Sequence, residues 1–557
     1  MRVDDKMDDN TSTERKTSTV DIAKILGSDS NVHGISKIAK ARSTGRQLFW
    51  TVLVVLAFIA ASIQLGFILK KYLSYPTTEV TNISKKLSVT FPAVTVCNTN
   101  PISMTRVSKV LANNTDMMQW FSFLQNTNFG EHDSKLDSHQ AFYENLPEAV
   151  QYIAHSFDDM VLSCRFKNAD CGIQNFSLNF DGKNYYNCFT FAVNENQSEE
   201  ILQNNPGPDN GLSLILSLGK ESSPPGSYGI YDMKNPTGFS GGMRVQIHNR
   251  NTVPTPFYHG FDIPPGYSSS VGLKARIHSR LPKPYGDCTT QNYDEEQNHE
   301  NTVFTCLQQC QQKILVKTCG CKTSALPVLS NLKPKVPFCS EIKNWKHKSD
   351  LYKGQNQVVL NQLLCEQRVI ENLRTDRSYE DDCGCSEPCK EMSYEQSLSM
   401  LYWPEEFYQL GFLSELYTGN NASKPTELVQ EALDILNITS TKYSTLAMQG
   451  ISNDFDRSDK IEIARASAII RQNFMRLNVF LQDLRVTEHI QIPAYDLSSL
   501  FSDIGGTLIL WLGFSMLTFM EAFELIMSLI LLACNSDMYI MGDKSGTKQN
   551  VKKQEIF

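Results

Sequence analysis

Residues Asp503 to Cys534 read DIGGTLILWLGFSMLTFMEAFELIMSLILLAC. The run is apolar enough to lie in a bilayer, yet it carries Gly513-Phe514-Ser515 at its middle and two carboxylates, Glu521 and Glu524, further on. Taken from Leu500 it spans 35 residues, or ~52 Å as one unbroken helix against a hydrocarbon core of ~30 Å. It must tilt, protrude or break. Asp503, Gly506, Leu510, Phe514, Leu517, Glu521 and Glu524 recur at spacings of three and four, so an unbroken helix puts the carboxylates on one stripe. Each charge costs ~2.5–3.5 kcal/mol at the bilayer centre on insertion scales, so the stripe must face water. Neither one helix nor two can enclose water, which predicts a homo-oligomer around a central pore. The plainer alternative is a receptor anchor whose glutamates lie near the interface. Gly513 and Ser515 are small enough for the backbone to approach an axis, unwind and present carbonyls to a partly dehydrated ion; close helix packing is the competing reading.

Outward from this run, the chain repeats the theme once. Leu48 to Leu69, LFWTVLVVLAFIAASIQLGFIL, holds 22 residues without a charge, enough to cross a bilayer. It starts too late and is too long for a cleavable signal. Lys37, Lys40, Arg42 and Arg46 precede it, and Lys544, Lys548, Lys552 and Lys553 follow the C-terminal run, so both ends are expected in the cytoplasm. Lys70 and Lys71 oppose this, but they open a segment of over 400 residues, whose charge counts little in such decisions. With 41% hydrophobic and 20% charged residues, most of the chain between the runs reads as a water-soluble body.

That body carries the marks of an external compartment. Glycosylation triplets fall there at Asn82, Asn113, Asn175, Asn196, Asn421 and Asn437, and only Asn10 lies elsewhere. Of 15 cysteines, 14 lie between the runs and Cys534 lies at the inner end of the second, an even external number suited to seven disulfides; zinc is the other use of its Cys-Gly-Cys pairs, and an oxidising space favours disulfides. Lys70 to Asp496 holds 39 basic and 47 acidic residues. Such a surface concentrates cations and disfavours nucleic acid, although an ordinary soluble surface has the same balance.

Along the body, LSVTFPAVTVCN (Leu87 to Asn98) reads as a buried strand, Asp116 to Cys164 as aromatic-rich helix, and Gly211 to Arg280 as short strands between Pro/Gly turns. Cys288 to Cys389 holds ten cysteines, Glu405 to Ile438 and Lys460 to Met475 have amphipathic helical spacing, and Leu477 to Ile492 returns to strand alternation. Gly238 to Gly242, GFSGG, fits the G-x-S-x-G nucleophile pattern, but a Pro-containing turn precedes it and a strand-like MRVQIH follows. A nucleophile elbow needs strand before and helix after, so no enzyme is expected. The fold class is α+β: a membrane protein with two transmembrane helices and a large, disulfide-rich external domain.

These residues resemble the degenerin/epithelial sodium channel family from His33 to Glu524. The likeness rests on His33-Gly34, FPAVTVCN, YYNCF (Tyr185 to Phe189), PPGYSSSVGLKARIHSRLPKPYGDC, the cysteine block, and DIGG followed by G-x-S. Within the family the chain most resembles the FMRFamide-gated sodium channels of molluscs and annelids, through LGSDSNVHG, IPPGYSSSVGLKA, CGCKTSALP and YWPEEFYQL. The resemblance implies a homotrimer with finger, thumb, palm, knuckle and β-ball regions in the plasma membrane, and a sodium-selective pore blocked by amiloride. Sodium is then the permeant ion, with no cofactor and no resident metal. The implied organisation is a cytoplasmic N-terminus over 1–47, first span 48–69, external domain 70–496, second span and pore 497–534, and cytoplasmic tail 535–557. The external domain divides into finger (about 100–164), β-core (about 211–287), thumb (288–389), helical insertion (about 405–456) and knuckle (about 457–475).

By the same resemblance, the cysteines pair as Cys288–Cys389, Cys306–Cys385, Cys310–Cys383, Cys319–Cys365 and Cys321–Cys339, with Cys97–Cys188 and Cys164–Cys171 outside that ladder. Gly513, Phe514 and Ser515 take the selectivity-filter position, Ser502, Asp503 and Gly506 the gate, and His33 and Gly34 a re-entrant loop below the pore with Glu521 and Glu524. Tyr72 and Tyr285 meet at the wrist; acid-sensing members have tryptophan at the latter place. Glu405 to Asp456 is longer than in those members, so their proton-sensing sites do not transfer directly. The ligand expected is an Arg-Phe-amide peptide, which needs aromatic walls and a carboxylate. The finger offers Trp120, Phe121, Phe123, Phe129, Phe142 and Tyr143 as walls, with Glu144, Asp158 or Asp159 for the arginine. For each ring the alternative is a place inside packed helices. A family channel opened by protons, and a non-conducting adhesion or receptor ectodomain, are the rival functions.

Overall fold

The computed structural model describes residues 35–103, 106–107, 138–191, 201–220, 240–250, 252–290, 302–327, 336–341, 355–417, 424–448, 456–515, 517, 518, 520, 523 and 527. They form two compact units, one from the two chain ends (1–78 and 492–557) and one from residues 79–491.

In the first unit a helix runs from Thr44 to Leu73, wider at both ends than the apolar run inside it. Among the described residues it is the one helix long and apolar enough to cross a membrane. Lys70 and Lys71 sit in its last turn, where cations complement the helix dipole. A short helix, Ile35–Ala39, packs near its start. The apolar Leu497–Leu512 helix lies against the long one, tied by a Trp511 Nε1 hydrogen bond to Gln64 Oε1 at 2.7 Å.

The second unit is built on two sheets. In one, the strands run Lys390–Tyr402, Tyr267–Ser279, Phe474–Pro493, Leu212–Ser217, Val161–Phe166 and Ala169–Asp170. Its long central pair is parallel and keeps register from Ser268↔Arg476 to Leu273↔Leu481; a bulge then resets it to Ala275↔Val486. The other sheet orders Phe261–Ile263, Met243–His248, Ala93–Asn98, Tyr186–Phe191 and Phe176–Asp181. Val94, Val96, Leu214, Leu216, Val245, Val271, Leu273, Leu477 and Val479 from both sheets share one core, so the strands expected from alternation are held by burying a common apolar face.

The cysteine-rich segment is helical: Val303–Cys319, Gln355–Thr375 and Tyr379–Cys383. Its apolar centre is small, with Leu315 buried beside Cys321 and Cys339. Disulfides do there what a larger core does elsewhere. Cys306 and Cys310, one turn apart, bond to Cys385 and Cys383; Cys319 bonds to Cys365, Cys321 to Cys339 and Cys288 to Cys389. Cys97–Cys188 and Cys164–Cys171 close the sheets, and all seven pairs match those the resemblance implies. Between Glu405 and Asn473 lie helices Gln409–Tyr417, Glu427–Met448 and Arg457–Asn473, packed through Leu413, Val429, Ala432, Leu436, Ala466 and Ile470.

Candidate functional site

The Leu497–Leu512 helix starts at Asp496, whose Oδ1 accepts from the Ser499 N–H at 2.9 Å and whose Oδ2 accepts from Ser498 Oγ at 2.7 Å. These bonds, that with Ser499 foremost, hold the Asp496 carboxyl down to about 2. Inside the helix, Asp503 Oδ2 accepts from the Tyr495 hydroxyl at 2.5 Å. The Tyr495 ring in turn lies under Lys71 Nζ, 4.4 Å from its centroid, and 6.4 Å from the ring of Tyr72. Tyr72 also neighbours Tyr75 at 6.1 Å, whereas Tyr285 belongs to the other unit, where its N–H closes a turn on Pro282. Ser502 and Asp503 are exposed and Gly506 lies open on the same helix in the single chain.

The helix stops at Gly513, and the backbone shows why. Gly513 has φ +64°, a left-handed conformation that other residues adopt only at a cost. Its N–H bonds to Ile509 O at 2.9 Å, the 5→1 bond of an αL terminus, and the Phe514 N–H reaches back to Leu508 O at 3.2 Å. Two residues later a new helical segment begins: Ser515 Oγ accepts from the Thr518 N–H at 3.2 Å, and Thr518 Oγ1 accepts from the Ser515 N–H at 3.3 Å. Gly513-Phe514-Ser515 is thus a C-cap joined directly to an N-cap. The continuous stripe from Asp503 through Phe514 to Glu524 is corrected accordingly, because Phe514 lies outside any helix. The Ser-x-x-Thr spacing is a local capping signal, hidden within the apolar run around it. His33, Gly34, Glu521 and Glu524 lie outside the described residues.

In the finger region the residues separate by burial. Trp120, Phe121, Phe123 and Phe129 lie outside the described residues. Phe142 is wholly buried on the Ser138–Asn145 helix, which corrects its assignment as a ligand wall. Glu144 is corrected likewise: it is 2% exposed, and its carboxylate is occupied internally. Oε1 accepts from the Ser324 N–H at 2.7 Å and Gln140 Nε2 at 3.0 Å, and Oε2 from Ser340 Oγ at 2.6 Å and the Ser340 N–H at 3.3 Å. Gln140 Nε2 also lies 3.1 Å from Glu366 Oε1 on the Gln355–Thr375 helix, so two buried carboxyls share one amide. Burial, with the nearby Glu144 charge second, pushes Glu366 up to about 7. Burial raises Glu144 too, despite its donors. No local pattern signals this pairing, since the two residues are distant in the chain.

Tyr143 is half-buried between Phe180 at 4.7 Å and Phe338 at 6.0 Å. Asp159 is half-buried, bonded to Arg106 Nε at 2.8 Å, and caps the Phe157–Met160 helix with Ser156. Burial alone raises its carboxyl, but the Ser156 and Arg106 bonds outweigh this and lower it. Asp158 beside it is exposed. Of the glycosylation triplets, Asn82 and Asn437 are exposed and Asn175 is half-buried; Asn113, Asn196 and Asn421 lie outside the described residues.

Comparison with known proteins places this architecture. The family described as amiloride-sensitive sodium channel matches residues 26–525. The chain belongs to the amiloride-sensitive sodium channel family. It is 41% identical to the FMRFamide-activated amiloride-sensitive sodium channel of Cornu aspersum, over 93% of this chain and 85% of that one. It is 24% identical to acid-sensing ion channel 1A of Danio rerio (90% and 87%) and 25% identical to acid-sensing ion channel 2 of Homo sapiens (91% and 86%). The family is one of ion channels, not enzymes. In keeping with that, the residues after GFSGG form the Met243–His248 strand in place of the helix that a nucleophile elbow requires.

Proposed function

We propose that this chain assembles as a homotrimeric, sodium-selective, amiloride-blocked channel of the plasma membrane, opened from outside by an FMRFamide-type peptide. Each subunit spans the bilayer twice and keeps both termini in the cytoplasm. The observation that carries the reading is the 41% identity, over 93% of the chain, to a channel so activated. The Gly513-Phe514-Ser515 break supports the pore assignment: ending one helix and starting another within an apolar run leaves backbone carbonyls without helical partners, which only a water-lined or protein-lined path tolerates. Ser502, Asp503 and Gly506, open on the isolated helix, supply a polar, small-residue face for convergence of three copies. Sodium ions pass the Gly513–Ser515 constriction. The peptide docks on the finger, with Asp158 exposed to meet a ligand cation and Trp120, Phe121, Phe123 and Phe129 as aromatic walls.

Currents recorded in a host cell during application of amidated Arg-Phe peptides and of acid pulses test this. A sodium current evoked by peptide and blocked by amiloride is expected. Current evoked by acid alone points to a proton-gated member, and surface trimers silent to both overturn the channel reading.

A further inference from the structure

Below the bulge in the central parallel pair, the register sets His278 beside His489. Their imidazoles stack with centroids 4.9 Å apart and planes 8° apart. Thr81 Oγ1 stands 3.3 Å from His489 Nδ1, a contact that engages Nδ1 of that ring. Across the antiparallel ladder, the position paired with His278 is Glu391. Its carboxylate lies 3.0 Å from Arg280 Nη1, and Arg280 also pairs with Glu387, so the nearby guanidinium is matched by two carboxylates. Both histidines are half-buried: shielded from bulk water, yet reachable.

We propose that His278 and His489 form a binding site for a divalent first-row transition-metal ion of the zinc, copper or nickel class. Neutral imidazole is the preferred ligand of these ions. A tetrahedral zinc with Zn–N of about 2.0–2.1 Å holds two nitrogens about 3.4 Å apart, a span within reach of side chains on directly paired strands about 4.7–4.9 Å apart. The two rings lie face to face, 4.9 Å between centroids, and convergence of a nitrogen from each on one ion needs a turn of one ring about Cβ–Cγ. Thr81 plays the part of the outer partner that fixes a ligating imidazole. Among the described residues no group of three or more His, Cys, Asp or Glu is arranged around a metal, so water completes the shell and the site is of moderate affinity. The ion bridges the Tyr267–Ser279 strand to the Phe474–Pro493 strand, which leads within three residues to the Leu497–Leu512 helix. By resisting shear between these strands, bound zinc should depress channel current.

The test uses the full-length channel carrying no polyhistidine tag, with zinc chloride as probe. Zinc binding to the purified wild type is measured by calorimetry, and zinc block of current in cells. His489→Asn retains a partner for Thr81, His278→Gln retains a polar side chain, and His259→Gln is the control. Saturable micromolar binding is expected, with at least a tenfold rise in the zinc needed for binding and for block in either variant, no further rise when both are combined, and no change in the control. No saturable binding to the wild type, or wild-type zinc dependence in either variant, overturns the site.

Discussion

Replacing Glu366 by glutamine tests the buried carboxyl pair quantitatively. Glu366 is 4% exposed. Its Oε1 faces Gln140 Nε2, and its Oε2 has no hydrogen-bond partner among the described residues. The facing groups are Glu144 and Gln140 on the Ser138–Asn145 helix, Thr323 from the loop after the Val303–Cys319 helix, and Lys183 from the turn before the Tyr186–Phe191 strand. Folding pushes Glu366 up from an ordinary 4.5 to about 7, so the folded state holds the proton more tightly. The protonated group's contribution to stability is therefore complete below about pH 4.5 and is lost as pH rises through about 7. Between about pH 5.5 and 7.5 the linkage relation gives a loss of about 2 kcal/mol in the wild type. The side-chain amide introduced by Glu366→Gln does not titrate, and that variant keeps the contribution. With an unfolding entropy of about 2.1 cal/mol/K per residue over roughly 400 residues, 2 kcal/mol corresponds to about 2–3 °C. Melting curves of the detergent-purified channel at the two pH values are the assay. The wild type should lose about 2–3 °C more than Glu366→Gln on going to the higher pH. Equal pH dependence of the two proteins refutes the reasoning, and a larger loss in the variant means that ionised Glu366 stabilises the fold.

Three further outcomes are expected. Gly513→Val places a β-branched residue at φ +64°, so current should vanish while surface trimers remain; normal sodium currents exclude a functional role for the break. Ser502→Phe enlarges an exposed side chain where three helices are proposed to converge, and standing current without peptide should appear in host cells; silence at rest with normal gating removes support for the gate assignment. Glu144→Ala strips acceptors from the Ser324 and Ser340 donors, which should destabilise the protein by about 3–5 kcal/mol and lower surface labelling. Peptide potency in the channels that survive should be unchanged; full expression with a tenfold loss of potency would instead put Glu144 at the ligand.

Features with a local signal were legible in the amino-acid sequence. An uncharged run at Leu48 to Leu69 specifies a membrane-length helix because no soluble surface tolerates it, and alternation in MRVQIH and LSLILSL specifies strands because one face must be buried. Gly513 and Ser515 announce a break through their own conformational preferences. The cysteine pattern carries its pairing through family likeness, since spacing alone leaves many connectivities open. Relations between distant residues emerged only on folding. Burial turns Phe142 and Glu144 from ligand candidates into internal ones, and no local pattern tells an aromatic facing a ligand from one facing a neighbouring helix. The encounter of Glu144 with Glu366 through Gln140, and of His278 with His489 below a bulge, depends on strand register and helix packing. A shift of one residue in that register would turn the two histidines to opposite faces of the sheet.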